Sequence, residues 1–156
     1  MNTRRFLLAL LASAGALAAF APVPAHAAAD PAETRLAADL LWGTNGGKPA
    51  DKELRPIDPA LEKRLRRVFK WQSYYEIERK EFGVVAGKPS RIEMSKECRL
   101  EVNRLAGEEF EIQLYGKGVL LVTKRQRIVP GETVVLGGDD KNDNAWFVVV
   151  SLPKPK

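Results

Sequence analysis

The spacing of apolar residues predicts one helix in the first half of the chain. Four apolar residues recur at i, i+4, i+7 and i+8, which places them on one stripe of a helix: Leu61, Leu65, Val68 and Phe69. Asp58 precedes Pro59, and this pair is typical of a helix start, because aspartate accepts free backbone N–H groups and proline needs no partner. We therefore predict an amphipathic helix that begins at this pair.

After Trp71 the apolar period shortens to two and stays so to the end of the chain. Apolar residues alternate with Glu, Arg and Gln in four segments, and three more apolar segments follow at 119–126, 132–137 and 145–152. Turn signals rich in glycine and proline separate several of them. Seven short strands at this spacing predict a mainly β chain, folded as an antiparallel β-sandwich or barrel-like domain with one amphipathic α-helix.

The apolar segment 34–42 fits two structures. Leu36, Leu40 and Leu41 match the period of a strand as well as that of a short helix. The segment ends at a run of glycine and asparagine, and with the residues up to Ile57 this run predicts a loop.

The first 27 residues have the pattern of a secretory signal peptide. Arg4 and Arg5 precede an apolar run over 6–20, and Ala25-His26-Ala27 is a small-x-small cleavage pattern. The apolar run is shorter than the roughly 20 residues that span a bilayer. We expect cleavage after Ala27 and a periplasmic or extracellular location without a transmembrane segment. The remaining chain then divides into a leader (28–33), one β-rich domain (34–152) and a tail (153–156).

Charge and histidine content narrow the function classes. The chain has 25 Lys and Arg against 20 Asp and Glu, and loss of Arg4 and Arg5 with the signal leaves a net charge of +3. This is too little for a nucleic-acid binder, which concentrates basic residues on one face. His26, the one histidine, is lost as well. Histidine-dependent catalysis and the usual zinc sites are therefore excluded, and we expect no enzyme activity and no cofactor.

Cys98 is the one cysteine, so the chain forms no internal disulfide. It stands in a segment with strand-like alternation, and without a histidine nothing lowers the pKa of its thiol. We interpret it as a half-buried packing residue.

The loop 137–144 partly matches a calcium-binding loop. Asp140, Asn142 and Asn144 alternate as oxygen ligands do, but Ala145 and Ser151 stand where a glycine and a bidentate glutamate are required. A turn between two strands explains the same residues, since Gly, Asp and Asn tolerate positive φ. We predict a strand connection and no metal.

Two further groups of residues have candidate chemistry. Acidic residues two apart, such as Glu76 and Glu78 or Glu109 and Glu111, resemble a glycosidase pair, although on alternating strands they form the solvent side. Six aromatic residues are enough for a carbohydrate platform, or for core packing: Trp42, Trp71, Tyr74, Tyr75, Tyr115 and Trp146.

The predicted helix also carries the candidate binding residues. Five cations surround its apolar stripe: Lys63, Arg64, Arg66, Arg67 and Lys70. Such a cluster suits an envelope protein with an acidic surface or an anionic membrane. The simpler interpretation is a solvated helix face.

The order of several short motifs resembles that of small exported bacterial proteins of unknown function. The motifs are Trp42-Gly43-Thr44-Asn45, Asp58-Pro59, Leu65-x-x-Val68-Phe69, Ser73-Tyr74-Tyr75 and the segment 130–138, Pro-Gly-Glu-Thr-Val-Val-Leu-Gly-Gly. The resemblance covers residues 34–152. It implies an extracytoplasmic β-sandwich whose first apolar segment is a strand, and it implies no activity, cofactor or catalytic residue.

Three functions are compatible with these observations. We expect a non-enzymatic envelope protein that binds another macromolecule, because an export signal is combined with the absence of a nucleophile and base set. A carbohydrate or peptidoglycan binder with an aromatic face is the first alternative. A hydrolase that depends on carboxylates alone is the second. Exposed coplanar aromatic rings would favour the carbohydrate or peptidoglycan binder. Two facing carboxylates in a pocket would favour the hydrolase.

Overall fold

The computed structural model describes residues 32–48, 50, 53–141 and 144–154. The predicted signal peptide and most of the predicted leader lie outside these residues. Nine strands and one helix follow each other along the described chain. The strands are β1 Thr34–Thr44, β2 Arg55–Pro56, β3 Ser73–Val84, β4 Ser90–Glu93, β5 Cys98–Arg104, β6 Glu109–Gly116, β7 Val119–Arg127, β8 Thr133–Lys141 and β9 Asn144–Ser151, and the helix is α1 Pro59–Val68.

The strands form two antiparallel sheets, which confirms the predicted β-sandwich. The first sheet has five strands in the order β2-β3-β1-β9-β8, and the second has four in the order β4-β5-β6-β7. Apolar side chains from both sheets meet in one buried cluster, which includes Leu36, Leu100, Phe110 and Val148. Strands β5 and β6 bury alternate residues in this cluster, as their period of two predicts.

Helix α1 covers the outer face of the five-stranded sheet, so the domain has three layers. Leu65 packs there with Leu41, Trp71 and Phe147 in a second cluster. The central strand β1 is therefore buried on both faces, and residues 36–41 are all inaccessible. A strand buried on both sides has a continuous apolar run instead of an alternating one, which explains why 34–42 fitted helix and strand equally well.

The start of the helix agrees with the prediction, and its apolar stripe differs at one position. Asp58 is the N-cap, and its Oδ1 accepts a hydrogen bond from Leu61 N at 3.0 Å. Leu65 is buried, whereas Val68 is 75% exposed. The helix ends at Val68, and Phe69 adopts an extended backbone, so the aromatic ring of Phe69 takes the place beside the sheet. The prediction of Val68 on the packed stripe is therefore wrong.

No helix among the described residues is both long enough and apolar enough to cross a membrane.

The segment from Gly43 to Ile57, which was predicted as one loop, contains strand near both ends. Gly43 and Thr44 continue β1, where they pair with Ala145 and Asn144 of β9. The short strand β2 lies within the segment predicted as a loop and pairs with Tyr75 and Glu76 of β3. Tertiary pairing thus overrides the weak local signal of Gly and Pro.

The loop 137–144 is the tip of the β8–β9 hairpin. β8 continues to Lys141, which pairs with Asn144. The prediction of a strand connection is confirmed in this respect. Asn142 and Asp143 lie outside the described residues, so the absence of a metal here stays a prediction.

Candidate functional site

An open groove of about 920 Å³ lies where the two sheets separate at one end of the sandwich. Its lining comes from seven strands and two turns, and is mainly apolar. The residues are Leu40, Trp42, Ile77, Ser95, Glu97, Cys98, Gly116, Lys117, Val119, Leu121, Gly137, Asn144, Ala145 and Trp146. A concave apolar site with few polar groups is the usual form of a ligand-binding pocket.

Two tryptophans form the floor of this apolar groove. Trp42 of β1 and Trp146 of β9 are direct partners in the antiparallel register, so both indoles project from the same face of the sheet. Both are half-buried, and Trp146 packs against the core between the sheets. The floor is therefore a broad aromatic surface on two central strands.

The turn between β6 and β7 shapes one wall of the groove. Lys117 and Gly118 have φ of 51° and 79°, the positive values that a tight hairpin of primed type requires. Lys117 N donates a 2.7 Å hydrogen bond to the carbonyl of Glu97, which joins this turn to the β4–β5 turn. The wall is thus fixed by backbone geometry as well as by packing.

Gly116 lets two lining side chains approach each other. A Cβ at this position would lie 2.7 Å from Leu121 Cδ1 and 3.4 Å from Trp146 Cζ2. Leu121 and Trp146 consequently lie over the backbone of Gly116, where β7 meets the aromatic floor. A larger residue at 116 would have to displace them.

Exposed aliphatic side chains are concentrated around the groove. Among the described residues five large hydrophobic side chains are exposed, and three of them line the groove: Ile77 (39%), Val119 (61%) and Leu121 (47%). Leu120, the neighbour of two of them, is exposed as well. A contiguous exposed apolar patch with a polar rim is typical of a binding surface.

The chemistry of the described lining is limited. Glu97 is its one carboxylate, so this lining does not bring together the pair of acids that a carboxylate-dependent hydrolase needs. Cys98 is 4% exposed and belongs to the core cluster, in keeping with its interpretation as a packing residue. Burial, reinforced by Glu93, raises the pKa of the Cys98 thiol to about 11, which makes it a weak nucleophile at neutral pH.

The predicted cationic residues lie on the other side of the five-stranded sheet. Lys63, Arg64, Arg66 and Arg67 are exposed on α1, and a shallow depression of about 380 Å³ lies beside them. Arg66 also forms a 2.7 Å ion pair with Glu62, one turn earlier. Lys70 Nζ lies 5.3 Å from the centroid of the Trp71 ring. The structure thus places four of these cations on α1 and Lys70 just beyond its end, all away from the groove.

The six candidate aromatic residues separate into different environments. Trp71 and Tyr74 are buried beneath α1, with ring centroids 5.2 and 6.1 Å from that of Phe147. Tyr75 lies near Trp42 with a tilt of 31° between the rings. Arg99 lies 4.3 Å above the ring of Tyr115. Only the Trp42 and Trp146 pair remains as part of an accessible concave surface among the described residues.

Two of the four candidate acidic residues on the strands form ion pairs with arginine. Glu76 pairs with Arg55 at 2.8 Å, and Glu111 pairs with Arg125. Both pairs join neighbouring strands, which is a structural use of these acids. They explain the alternation of charge along the strands.

Sequence reasoning missed a buried ion pair in the central strand. Asp39 is 5% exposed, and its Oδ1 accepts a 2.6 Å bond from Arg79, its partner in the register of β3. Burial raises the pKa of the Asp39 carboxyl, while Arg79 acts in the opposite direction. A single aspartate in an apolar run is the signal that could have shown it, because a buried carboxylate needs a partner.

Comparison of the chain with protein-family models, with curated proteins and with solved structures finds no match. Its function therefore has to be inferred from the groove and the sequence.

Proposed function

We propose that the chain is an exported, non-catalytic accessory protein of the cell envelope, and that it binds a macromolecule through the apolar groove. The observation that carries this proposal is the exposed aliphatic rim beside a cross-strand tryptophan pair, in a groove of about 920 Å³. Export is the expectation from residues 1–27.

Burial of the groove supplies the driving force for binding. Each Å² of apolar surface removed from water contributes about 25 cal/mol. Val119 and Leu121 are largely exposed in the free chain, so a partner that covers them gains this contribution without unfolding anything. Tryptophans in a partly enclosed site are frequent centres of binding energy, which gives Trp42 and Trp146 the same role here.

The tryptophan pair also favours a second candidate, the binding of a glycan such as peptidoglycan. Sugar rings stack on flat aromatic surfaces through their apolar faces, and two adjacent indoles offer such a surface. Ser95, Glu97 and Lys117 at the rim supply polar groups for hydroxyl or amide partners.

A dye titration tests whether the groove accepts an apolar ligand. We would titrate the chain with anilinonaphthalene sulfonate and compare the double variant Val119→Thr/Leu121→Gln with Val68→Gln, which changes an even more exposed aliphatic residue on α1. We expect the double variant to bind the dye at least about fivefold more weakly, and Val68→Gln to bind it normally. Equal binding by all three proteins would contradict the groove as the site.

Cosedimentation with purified peptidoglycan separates the two candidates. Trp146→Ala should abolish sedimentation if a glycan is the ligand, and the wild-type chain should stay in the supernatant if it is not. The variant Arg64→Gln/Arg66→Gln/Arg67→Gln serves as the control for charge, because it removes exposed cations of α1 without touching the groove. Loss of dye binding or sedimentation in this control would indicate that the ligand binds the cations of α1.

A further inference from the structure

Strand β7 presents an unpaired backbone edge beside the groove. It pairs with β6 alone among the described strands and forms one edge of the four-stranded sheet. Val119 and Leu121, which line the groove, are part of this strand. Seven of its nine residues are exposed. A row of unpaired N–H and C=O groups on a sheet edge is a template for another strand.

The hydrogen bonding of the neighbouring residues shows which groups face outward. Ile128 N donates a 3.0 Å bond to the carbonyl of Glu108. Because bonded and non-bonded positions alternate in antiparallel strands, the even-numbered residues from 122 to 128 direct their backbone toward β6. The N–H and C=O groups of Thr123, Arg125 and Arg127 therefore face away from the sheet.

The two halves of β7 differ in character. The first half is aliphatic, Val119-Leu120-Leu121-Val122, and the second carries Lys124, Arg125 and Arg127. Arg125 and Arg127 already pair with Glu111 and Glu108, whereas Lys124 is exposed and forms no ion pair with a described residue. The edge thus has an apolar surface in its first half and, at Lys124 in its second half, a positive charge that forms no ion pair with a described residue.

This polarity disfavours a second copy of the chain as the occupant. Two β7 strands that pair antiparallel about Thr123 would place each aliphatic half against the cationic half of its partner. Opposite-charge and apolar cross-strand pairs stabilise a sheet, and this pairing offers neither. A strand with acidic residues opposite the cationic half of β7 and aliphatic residues opposite its aliphatic half would form favourable cross-strand pairs along the whole edge.

We propose that an extended segment of another polypeptide, acidic in its first half and aliphatic in its second, adds antiparallel to β7. Its acidic residues lie beside Lys124, and alternate aliphatic side chains enter the groove above Trp146. Backbone hydrogen bonds to Thr123, Arg125 and Arg127 supply affinity, as in other cases of strand addition. This inference rests on the proposed function and names the class of partner.

The test measures binding of a labelled nonapeptide by fluorescence anisotropy with the full chain. The peptide carries three glutamates alternating with threonine, followed by aliphatic residues. Replacement of its glutamates by lysine should weaken binding at least about tenfold, and added salt should weaken binding of the acidic peptide, because the charges lie at the surface. Equal binding of the lysine peptide would overturn the proposal.

Backbone pairing is tested separately from side-chain contacts. Thr123→Pro removes an outward N–H and leaves the bonds to β6 in place, as proline at an edge strand can. It should weaken binding at least about tenfold, whereas Thr123→Val should leave it within about twofold. Unfolding by urea identifies a Thr123→Pro variant that does not fold.

Two N-methylated peptides test with the unaltered chain whether the peptide backbone pairs with β7. One is methylated on the odd amides and the other on the even amides, and strand addition requires that one set faces β7 and the other does not. Loss of binding with one peptide only supports the proposal, and equal binding of both overturns it. Dimerisation of the wild-type chain that Thr123→Pro abolishes would overturn it in favour of self-pairing.

The dye titration distinguishes failure of the strand-addition proposal from failure of the proposed function. Retained dye binding that depends on Val119 and Leu121, with no effect at the β7 edge, would refute strand addition and leave the groove as a binding site. Absence of both would refute the proposed function as well.

Discussion

At the scale of single residues, Tyr74 buries a hydroxyl group whose lost contact with water is not replaced by a hydrogen bond to a described residue. It is 2% exposed, and its hydroxyl has no hydrogen-bond partner among the described residues. Burial raises the pKa of this phenol. An unsatisfied hydroxyl in an apolar environment lowers the stability of the folded state.

We therefore predict that Tyr74→Phe stabilises the fold. Removal of the hydroxyl leaves the ring contact with Phe147 and eliminates the desolvation cost, so the free energy of unfolding should rise by about 1 kcal/mol. Urea unfolding measures it. A loss of stability by a similar amount would show that the hydroxyl is bonded in solution.

The ion pair between Asp39 and Arg79 leads to a prediction about pH. Because burial raises the pKa of Asp39 above its ordinary value of 3.8, the folded state holds the proton more tightly than the unfolded state. The contribution of this group to stability is present at low pH and is lost as pH rises through the folded pKa. Arg79 limits this loss, since its charge acts against desolvation.

Arg79→Leu should consequently destabilise the protein more at pH 7 than at pH 4. We expect a loss of about 2 kcal/mol at pH 7, less than the roughly 3–5 kcal/mol lost when a fully buried pair is broken, because the Arg79 side chain is 44% exposed. Adding Asp39→Asn should remove the extra pH dependence. A loss that is the same at both pH values would contradict the role of Asp39.

At the scale of elements, helix α1 shows how far apolar spacing determines packing. Leu65 and Val68 lie on one predicted stripe, yet Leu65 is 2% exposed and Val68 is 75% exposed. The spacing identifies a face, and the point at which the helix leaves the sheet decides which residues of that face are covered.

Alanine substitutions compare these two residues directly. Leu65→Ala should lower the free energy of unfolding by about 3 kcal/mol, because it opens a cavity beneath the helix. Val68→Ala should change it by less than about 0.5 kcal/mol. Chemical denaturation of both variants tests this, and equal losses would restore Val68 to the packed stripe.

The strands show which parts of the fold local sequence can predict. The segments of β5 and β6 were located from their period of two, since each is buried on one face. β1 was ambiguous because both of its faces are covered, and β2 was missed because its two residues are defined by pairing with β3. The spacing of apolar residues therefore predicts which faces of a strand are buried. It does not predict which strands pair, because pairing depends on the whole fold.

At the scale of the whole molecule, sequence analysis named Trp42 and Trp146 as candidate aromatic residues without revealing that they meet, and it did not single out Val119 or Leu121 as site residues. Trp42, Val119 and Trp146 are far apart along the chain and come together through the register of β1 with β9 and the opening between the sheets. The cations at 63–70 could be identified from the sequence because they lie close together along the chain. A site assembled from seven strands and two turns leaves no local pattern.

Export is a prediction at this scale too. We expect the mature chain to begin at Ala28, because Ala25 and Ala27 meet the small-residue requirement of signal peptidase. N-terminal sequencing of protein from the periplasm or the medium tests it, and the variant Ala27→Leu should accumulate uncleaved. An intact Met1 terminus on the wild-type protein in membranes would contradict the prediction.

Site-specific photo-crosslinking in the producing cell shows whether the apolar groove binds a macromolecular partner. A benzophenone amino acid replaces Val119 in the groove or, as the matched control, Val68 on the helix; both side chains are exposed in the free chain. We predict a discrete adduct of higher mass from position 119 that Leu121→Gln diminishes, and none from position 68. Adducts from position 68 with none from position 119 would contradict the claim and place the partner on the cationic helix.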